Sequence, residues 1–379
     1  MSKVRSRGEE VRRYIIENIE QHPRDISKIT SEKFGITRQA VNKHLQKLSA
    51  EGAITDAGAT RNHSYKLAAL ENWTATYDVT PGLSESDVWA KDIKSVLGSQ
   101  PENITDIWQY GFTEMFNNAK DHADSDRIIV AIEKTAMMTE MFITDFGVGI
   151  FKKIQQAMGL SDERHSLLEL AKGKFTTDPA HHTGEGIFFS SRMFDSFSIR
   201  AGGVYFSHEL RSEEDWLLES KPGEGTAVFM KLSNHTSRTV KAIFDAYVSG
   251  GDYGFTKTVV PVGLAQYGDD KLISRSQAKR VLARIELFKT VLFDFNEVDS
   301  IGQSFADEIF RVFPLQHPMV KLHPINMSEP IRQMVERAKS GSNMNGVGTA
   351  STTSVDLKPE TEVEPKEENT SEKPDLNPT

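Results

Sequence analysis

A helical pattern that turns polar in its last turns constrains this chain more than any other feature. From Ile104 the residues follow an amphipathic helix. The stretch FTEMFNNAKDHA, Phe112 to Ala123, then brings in two adjacent asparagines, an aspartate and a histidine, with no proline and no turn residue. Asparagine and aspartate are poor interior helix residues, because their side chains compete for backbone hydrogen bonds. Spaced i, i+4 and i+8, Glu114, Asn118 and His122 form one stripe along the helix, while Ile107, Met115 and Ala119 can pack on a neighbouring face. An ordinary surface helix would carry the same stripe, so its meaning depends on what accompanies it.

Three glycine-bearing segments follow in order. DFGVGI, Asp145 to Ile150, comes directly after a strand pattern; HHTGEGIFF, His181 to Phe189, opens a helix; GEGTAVFM, Gly223 to Met230, turns into a strand. Each alone is weak, since glycine turns are common. Together, with RIIVAIE (127–133) and TEMFITDFG (139–147) as paired strands and four more strands between 196 and 232, they specify far more.

These four segments resemble the motif set of the GHKL ATPase superfamily, the histidine kinase-like ATPases with the Bergerat fold. EMFNNAKDH is similar to the family's asparagine box, and DFGVG, TGEGI and GEGTA to its glycine boxes. GKFTTD (173–178) resembles the histidine-kinase lid, and the likeness covers roughly residues 100–235. The resemblance implies ATP and Mg²⁺ as cofactors. It implies that Asn118 ligates Mg²⁺ through its side-chain oxygen, a hard ligand of the kind magnesium takes beside phosphate oxygens and water. Glu114, one turn earlier, would be the catalytic residue that orients or deprotonates an attacking water. Asp145 would accept a hydrogen bond from the adenine amino group, with Gly147 and Gly149 letting the backbone approach the base. Gly184 and Gly186, beside Thr183, would present backbone N–H groups and a helix N-terminus to phosphates. Gly225 and Thr226 would support the adenine side, and His122, Lys172 and Lys174 would touch phosphate. Against this stands a cluster of metal-ligand residue types, His165, His181, His182 and Glu185. No histidine lies between Tyr65 and His122, so the phosphoacceptor helices of a two-component kinase are not expected.

The flanks differ in character. SKITSEKFGITRQAVNKHLQKLSAEGAI, within residues 8–68, resembles a winged helix–turn–helix domain. That implies DNA as partner, with Thr37, Arg38, Gln39, Asn42 and Lys43 on the recognition helix and Arg61 at the wing tip. The local charge agrees: residues 1–66 carry 13 Lys/Arg against 8 Asp/Glu, which favours a polyanion. At the other end, VLFDFNEVDSIGQSFADEIFRVF is similar to STAS-like domains, a likeness that implies a protein partner and makes Ser300, after Asp299, a candidate phosphosite.

The expected fold is therefore α+β and multidomain. A winged helix spans 1–70, a linker 71–100, a Bergerat two-layer α/β sandwich with a mixed sheet 101–245, a small STAS-like α/β domain 246–339 and a disordered acidic tail 340–379. The tail has 3 Lys/Arg against 8 Asp/Glu and little apolar content, so it cannot bury enough surface to fold. With no cysteine, disulfides and thiolate chemistry are excluded. No apolar run is long enough for a membrane span and no signal peptide opens the chain, so a cytoplasmic location is expected. The function expected is an ATP-binding and ATP-hydrolysing transcriptional regulator, with a homodimer as its form on DNA. The alternatives are an anti-sigma-type serine protein kinase acting on a STAS domain, or a DNA-transacting GHKL ATPase.

Overall fold

The computed structural model describes residues 3–58, 63–176, 184–209, 214–219, 223–248, 254–266 and 271–343. The first module has helices α1 (Lys3–Asn18), α2 (Ile26–Phe34) and α3 (Arg38–Ala50), then an antiparallel hairpin of β1 (Ile54–Ala57) and β2 (Ser64–Leu67). The four-residue spacing of Val11, Ile15 and Ile19 carries one apolar face inward, against Ile26, Val41, Leu45, Leu48, Ile54 and Leu67. α2 stops at Gly35, whose φ of 60° is the left-handed cap that glycine adopts without strain. α3 starts at Thr37, whose hydroxyl accepts the Ala40 N–H at 3.2 Å.

Residues 71–100, expected as a linker, are instead built into the next unit. Strand β3 (Glu71–Asp78) pairs along its whole length with the next strand. Helices α4 (Glu85–Val88) and α5 (Lys94–Leu97), joined by a π-helical turn, bury Val88, Trp89, Ile93 and Leu97. Only Trp73, Ala75 and Tyr77 turn one face of β3 inward, and none is fully buried, which is why an edge strand of this composition reads as linker.

After α6 (Glu102–His122) come β4 (Arg127–Lys134), β5 (Met138–Asp145), α7 (Ile150–Met158), α8 (His165–Lys172) and α9 (Gly186–Met193). Then follow β6 (Ser196–Ala201), β7 (Val204–Glu209), β8 (Glu214–Glu219), β9 (Thr226–Ser233) and α10 (Val240–Ala246). The sheet runs in the order β3-β4-β5-β9-β6-β7-β8 and every pairing is antiparallel. Inserting β9 between β5 and β6 brings the C-terminal end of β5 against the start of β9, with Thr144 opposite Ala227. α6 buries Ile104, Ile107, Trp108, Phe112, Met115, Phe116 and Ala119.

The last part contains β10 (Lys257–Pro261), α11 (Arg275–Leu282), β11 (Thr290–Asp294), α12 (Gln303–Asp307), α13 (Phe313–Gln316), β12 (Lys321–Ile325) and α14 (Glu329–Asn343). Its sheet, β10-β11-β12, is parallel throughout, so the α+β chain uses both kinds of pairing but in separate sheets. One apolar core runs without interruption from Val88 to Ala338. The tail from residue 344 onward lies outside the described residues, and the helix before it runs four residues past the boundary expected at Lys339. No helix among the described residues is long and apolar enough to cross a membrane.

Candidate functional site

β5 ends on Asp145, and everything around that carboxylate depends on a tight crossing of backbones. Its Oδ1 accepts the N–H of Gly147 at 3.0 Å and of Thr226 at 3.1 Å, while the Thr226 hydroxyl accepts the Ile150 N–H at 3.1 Å. The chain passes so close to its neighbours that only glycine fits. A Cβ on Gly147 would stand 1.7 Å from the Ala123 carbonyl oxygen, and one on Gly225 (φ 74°) 2.0 Å from that of Asp145. Gly149 caps α7. Asp145 is 4% exposed, and burial raises its carboxyl above the ordinary range although both N–H donors, the Thr226 hydroxyl and the Lys153 charge oppose the rise.

A cavity of about 340 Å³ opens beside this turn. Glu114, Asn118 and His122 from one stripe of α6 line it, as do Asp145, Gly184, Gly186 and Thr226. Glu114 stands over the first residue of α9: a Cβ on Gly186 would lie 2.0 Å from its Oε2. A carboxylate there benefits from the helix N-terminus. Asn118 offers its amide to the Met115 sulfur at 4.0 Å, a weak contact that leaves the amide oxygen available. Apolar walls come from Ile143, Ile150, Ile154, Ile187, Phe188 and Val228.

Sequence reasoning missed Lys153, Ile150 and Ile154 as lining residues. Their signal was present: spaced i, i+3 and i+4 just after the glycine turn, they share a face of α7. Lys153 pairs with Asp124 at 2.7 Å. Thr183, His181 and His182 lie outside the described residues. Among the described residues no group of three or more His, Asp or Glu side chains converges as a metal site.

The cavity's far side leans on the parallel sheet and its helices. There β10 lies against α8, with the Thr258 hydroxyl donating to the Lys172 carbonyl at 2.7 Å. Residues 277–332 match the family described as a STAS-like domain of unknown function (DUF4325). No curated protein and no solved structure matches the chain.

The STAS-like domain changes the account of two lysines. Lys172, expected at phosphate, is fully buried and donates to Glu169 Oε1 at 2.7 Å and to the carbonyls of Arg280 and Ala283, each at 2.9 Å. Burial pushes its pKa down to about 8, with Glu169 opposing. Lys174, also expected at phosphate, has φ 54°; its Nζ donates to the Leu287 carbonyl at 3.0 Å and sits 4.9 Å from the Phe288 ring centre. Both cations are thus drawn to open carbonyls and aromatic rings of the STAS-like domain. His165 likewise faces that domain, its Nε2 2.6 Å from Arg280 Nη1.

Ser300 is half-buried, before the turn into α12, and its neighbour Ile301 bridges to Leu272 at the start of α11. In the first module Arg38, Gln39, Asn42 and Lys43 are exposed on one face of α3, with Asn42 accepting from the Ser27 hydroxyl at 3.2 Å, and Thr37 caps that helix. Arg61 lies outside the described residues.

Proposed function

We propose that the cavity takes an adenine nucleotide with Mg²⁺, in the manner of the GHKL ATPases, and that the protein is a nucleotide-responsive DNA-binding regulator. What supports this is convergence: segments more than a hundred residues apart in sequence line one cavity, with a buried acceptor at one side and a polar helical stripe at the other. Asp145 Oδ1 is engaged by two backbone donors, so Oδ2 would receive the adenine amino group. The isoleucines and Phe188 would sandwich the base. Asn118 would hold the magnesium through its free amide oxygen, and Glu114 would take the proton of an attacking water. The glycine at 186 keeps room for that carboxylate beside the helix N-terminus, where phosphate is also favoured.

The first module would bind DNA as a winged helix, with Arg38, Gln39, Asn42 and Lys43 of α3 in the major groove. Nucleotide binding would alter how it presents that helix. A homodimer on a two-fold operator is part of this reading.

The serine-kinase reading fares less well within one molecule. The loop carrying Ser300 adjoins the N-terminal end of α11, whereas the C-terminal end of α11 meets Lys172. About 12 Å of helix separates them, so Ser300 stands at the end of α11 away from α8.

Isothermal titration with Mg-ATP, turnover assays and operator binding test the proposal on the wild type, Asn118→Ala and Glu114→Ala. Asn118→Ala should lose the magnesium-dependent part of the affinity. Glu114→Ala should bind but turn over about 10²–10⁴-fold more slowly. DNA affinity that ignores nucleotide in all three would defeat the switch, and a wild type without affinity for Mg-ATP would defeat the whole reading.

A further inference from the structure

We infer that Arg284, a residue of the STAS-like domain, is a positioning residue for the nucleotide cavity, fixing the wall Gly173–Thr176 from behind. The inference rests on the nucleotide reading of the cavity. Phe175 and Thr176 line that cavity, and the Phe175 N–H is bonded to the Gly184 carbonyl at 3.2 Å, which ties the wall to the glycine turn opposite. Behind the wall, Arg284 spreads over three contacts. Nη1 donates to Glu169 Oε2 at 2.9 Å, Nη2 donates to the Gly173 carbonyl at 2.8 Å, and the guanidinium lies 5.3 Å from the centre of the Phe175 ring.

The wall needs such support. Lys174 and Arg284 stand at φ 54° and 63°, left-handed conformations that a non-glycine residue keeps only where its surroundings over-determine them. Glu169 is buried, and its two oxygens are shared between Lys172 and Arg284, so the arginine also completes a carboxylate that is almost wholly shut from solvent. A planar fork is required: the two acceptors lie on a side chain and a backbone carbonyl, and the same group must face a ring. A lysine would keep the charge and could reach an acceptor, but its ammonium lacks the fixed planar fork that pairs with both while facing the ring. Lys172 is too deeply buried to be removed cleanly, whereas Arg284 is 18% exposed and can be changed.

The test uses the full-length chain, a fluorescent ATP analogue with Mg²⁺ and stopped-flow kinetics, on the wild type, Arg284→Ala and Arg284→Lys. Arg311→Ala is the control: that arginine pairs with Asp307 inside the STAS-like domain. In Arg284→Ala the analogue should dissociate about tenfold faster with little change in association. Arg284→Lys should recover only part of the loss, and Arg311→Ala should match the wild type. A purely structural role would lower the melting temperature and leave dissociation unchanged below it. Wild-type dissociation in Arg284→Ala, or in Arg284→Lys should the alanine variant not fold, overturns the inference while leaving the nucleotide reading intact. A wild type that does not bind the analogue removes both together.

Discussion

A carboxylate with 4% exposure is costly unless something uses it, and Asp145 shows the conflict in one residue. Because burial raises its pKa, the folded chain holds the proton over a pH range in which the unfolded chain has released it. Ionised Asp145 therefore costs stability as pH rises out of the acid range through the raised pKa. Asparagine at 145 removes that cost, and its amide oxygen can still accept from Gly147 and Thr226. Asp145→Asn should melt at or above the wild-type temperature at pH 7, while losing about 2 kcal/mol of adenine-nucleotide affinity, about thirtyfold, because an amide donor would face the base amino group. Calorimetry and titration on the same sample separate the two effects, and loss of stability without loss of affinity would contradict the role given to this side chain. Gly147 makes the opposite case. Its missing Cβ leaves room for the Ala123 carbonyl oxygen, so Gly147→Ala should cost about 3 kcal/mol or more in urea unfolding, with no gain anywhere.

At the scale of elements, α8 is where the two halves of the larger unit meet, and its first residue is titratable. His165 has Arg280 Nη1, from α11, 2.6 Å from its Nε2 and Ser161 Oγ 3.4 Å from Nδ1, and lies near Asp162 and Arg164. Burial first, then the Arg280 and Arg164 charges, lowers its pKa below the ordinary histidine value, against the pull of Asp162. A proton is thus held more weakly in the folded chain than in the unfolded one. The stabilisation is complete above the unfolded pKa of about 6.5 and is lost as pH falls below it. His165→Gln should flatten the melting temperature between pH 7 and pH 5, and an unchanged slope would remove His165 from the account. Sequence alone made much of this region legible, but unevenly. The strands β4, β5 and β9 stand where alternation placed them, since a two-residue period with one buried face leaves little freedom. The cavity's polar residues were legible because each is an unusual type for its position: glycines at crossings, amides on a helix. β3 was not, because it is an edge strand with a mostly exposed face, and β10, KTVVP, was too short to stand out beside its irregular surroundings. The junction was not legible at all. Glu169 and Arg284 lie 115 residues apart on elements with no shared periodicity, and nothing in either neighbourhood marks Lys172 or Lys174 as a lysine held by the STAS-like domain.

The whole molecule divides differently from its sequence modules. The first module closes its own core from Val11 to Leu67, and among the described residues Met137 is the one partly buried apolar side chain from outside the module that packs against it. The remainder cannot be divided so simply. The ring of Phe188, which lines the cavity, is centred 4.5 Å from that of Phe255, and Phe255 stands 5.2 Å from Phe288, so one aromatic series passes from the cavity into the STAS-like domain. Removing everything after residue 248 would uncover that series and strip Lys172 of two of its three acceptors. Breaking such a buried charge network costs about 3–5 kcal/mol before any lost apolar burial is counted. Against a total stability of about 5–15 kcal/mol, that is decisive. A fragment ending at 248 should therefore aggregate or unfold at low temperature. A fragment of residues 69–343, which loses only the first module, should unfold in one cooperative calorimetric transition and keep wild-type nucleotide affinity. A stable 1–248 fragment with intact affinity would mean that the STAS-like domain is an appendage, and the shared core would then contribute nothing to the cavity it borders.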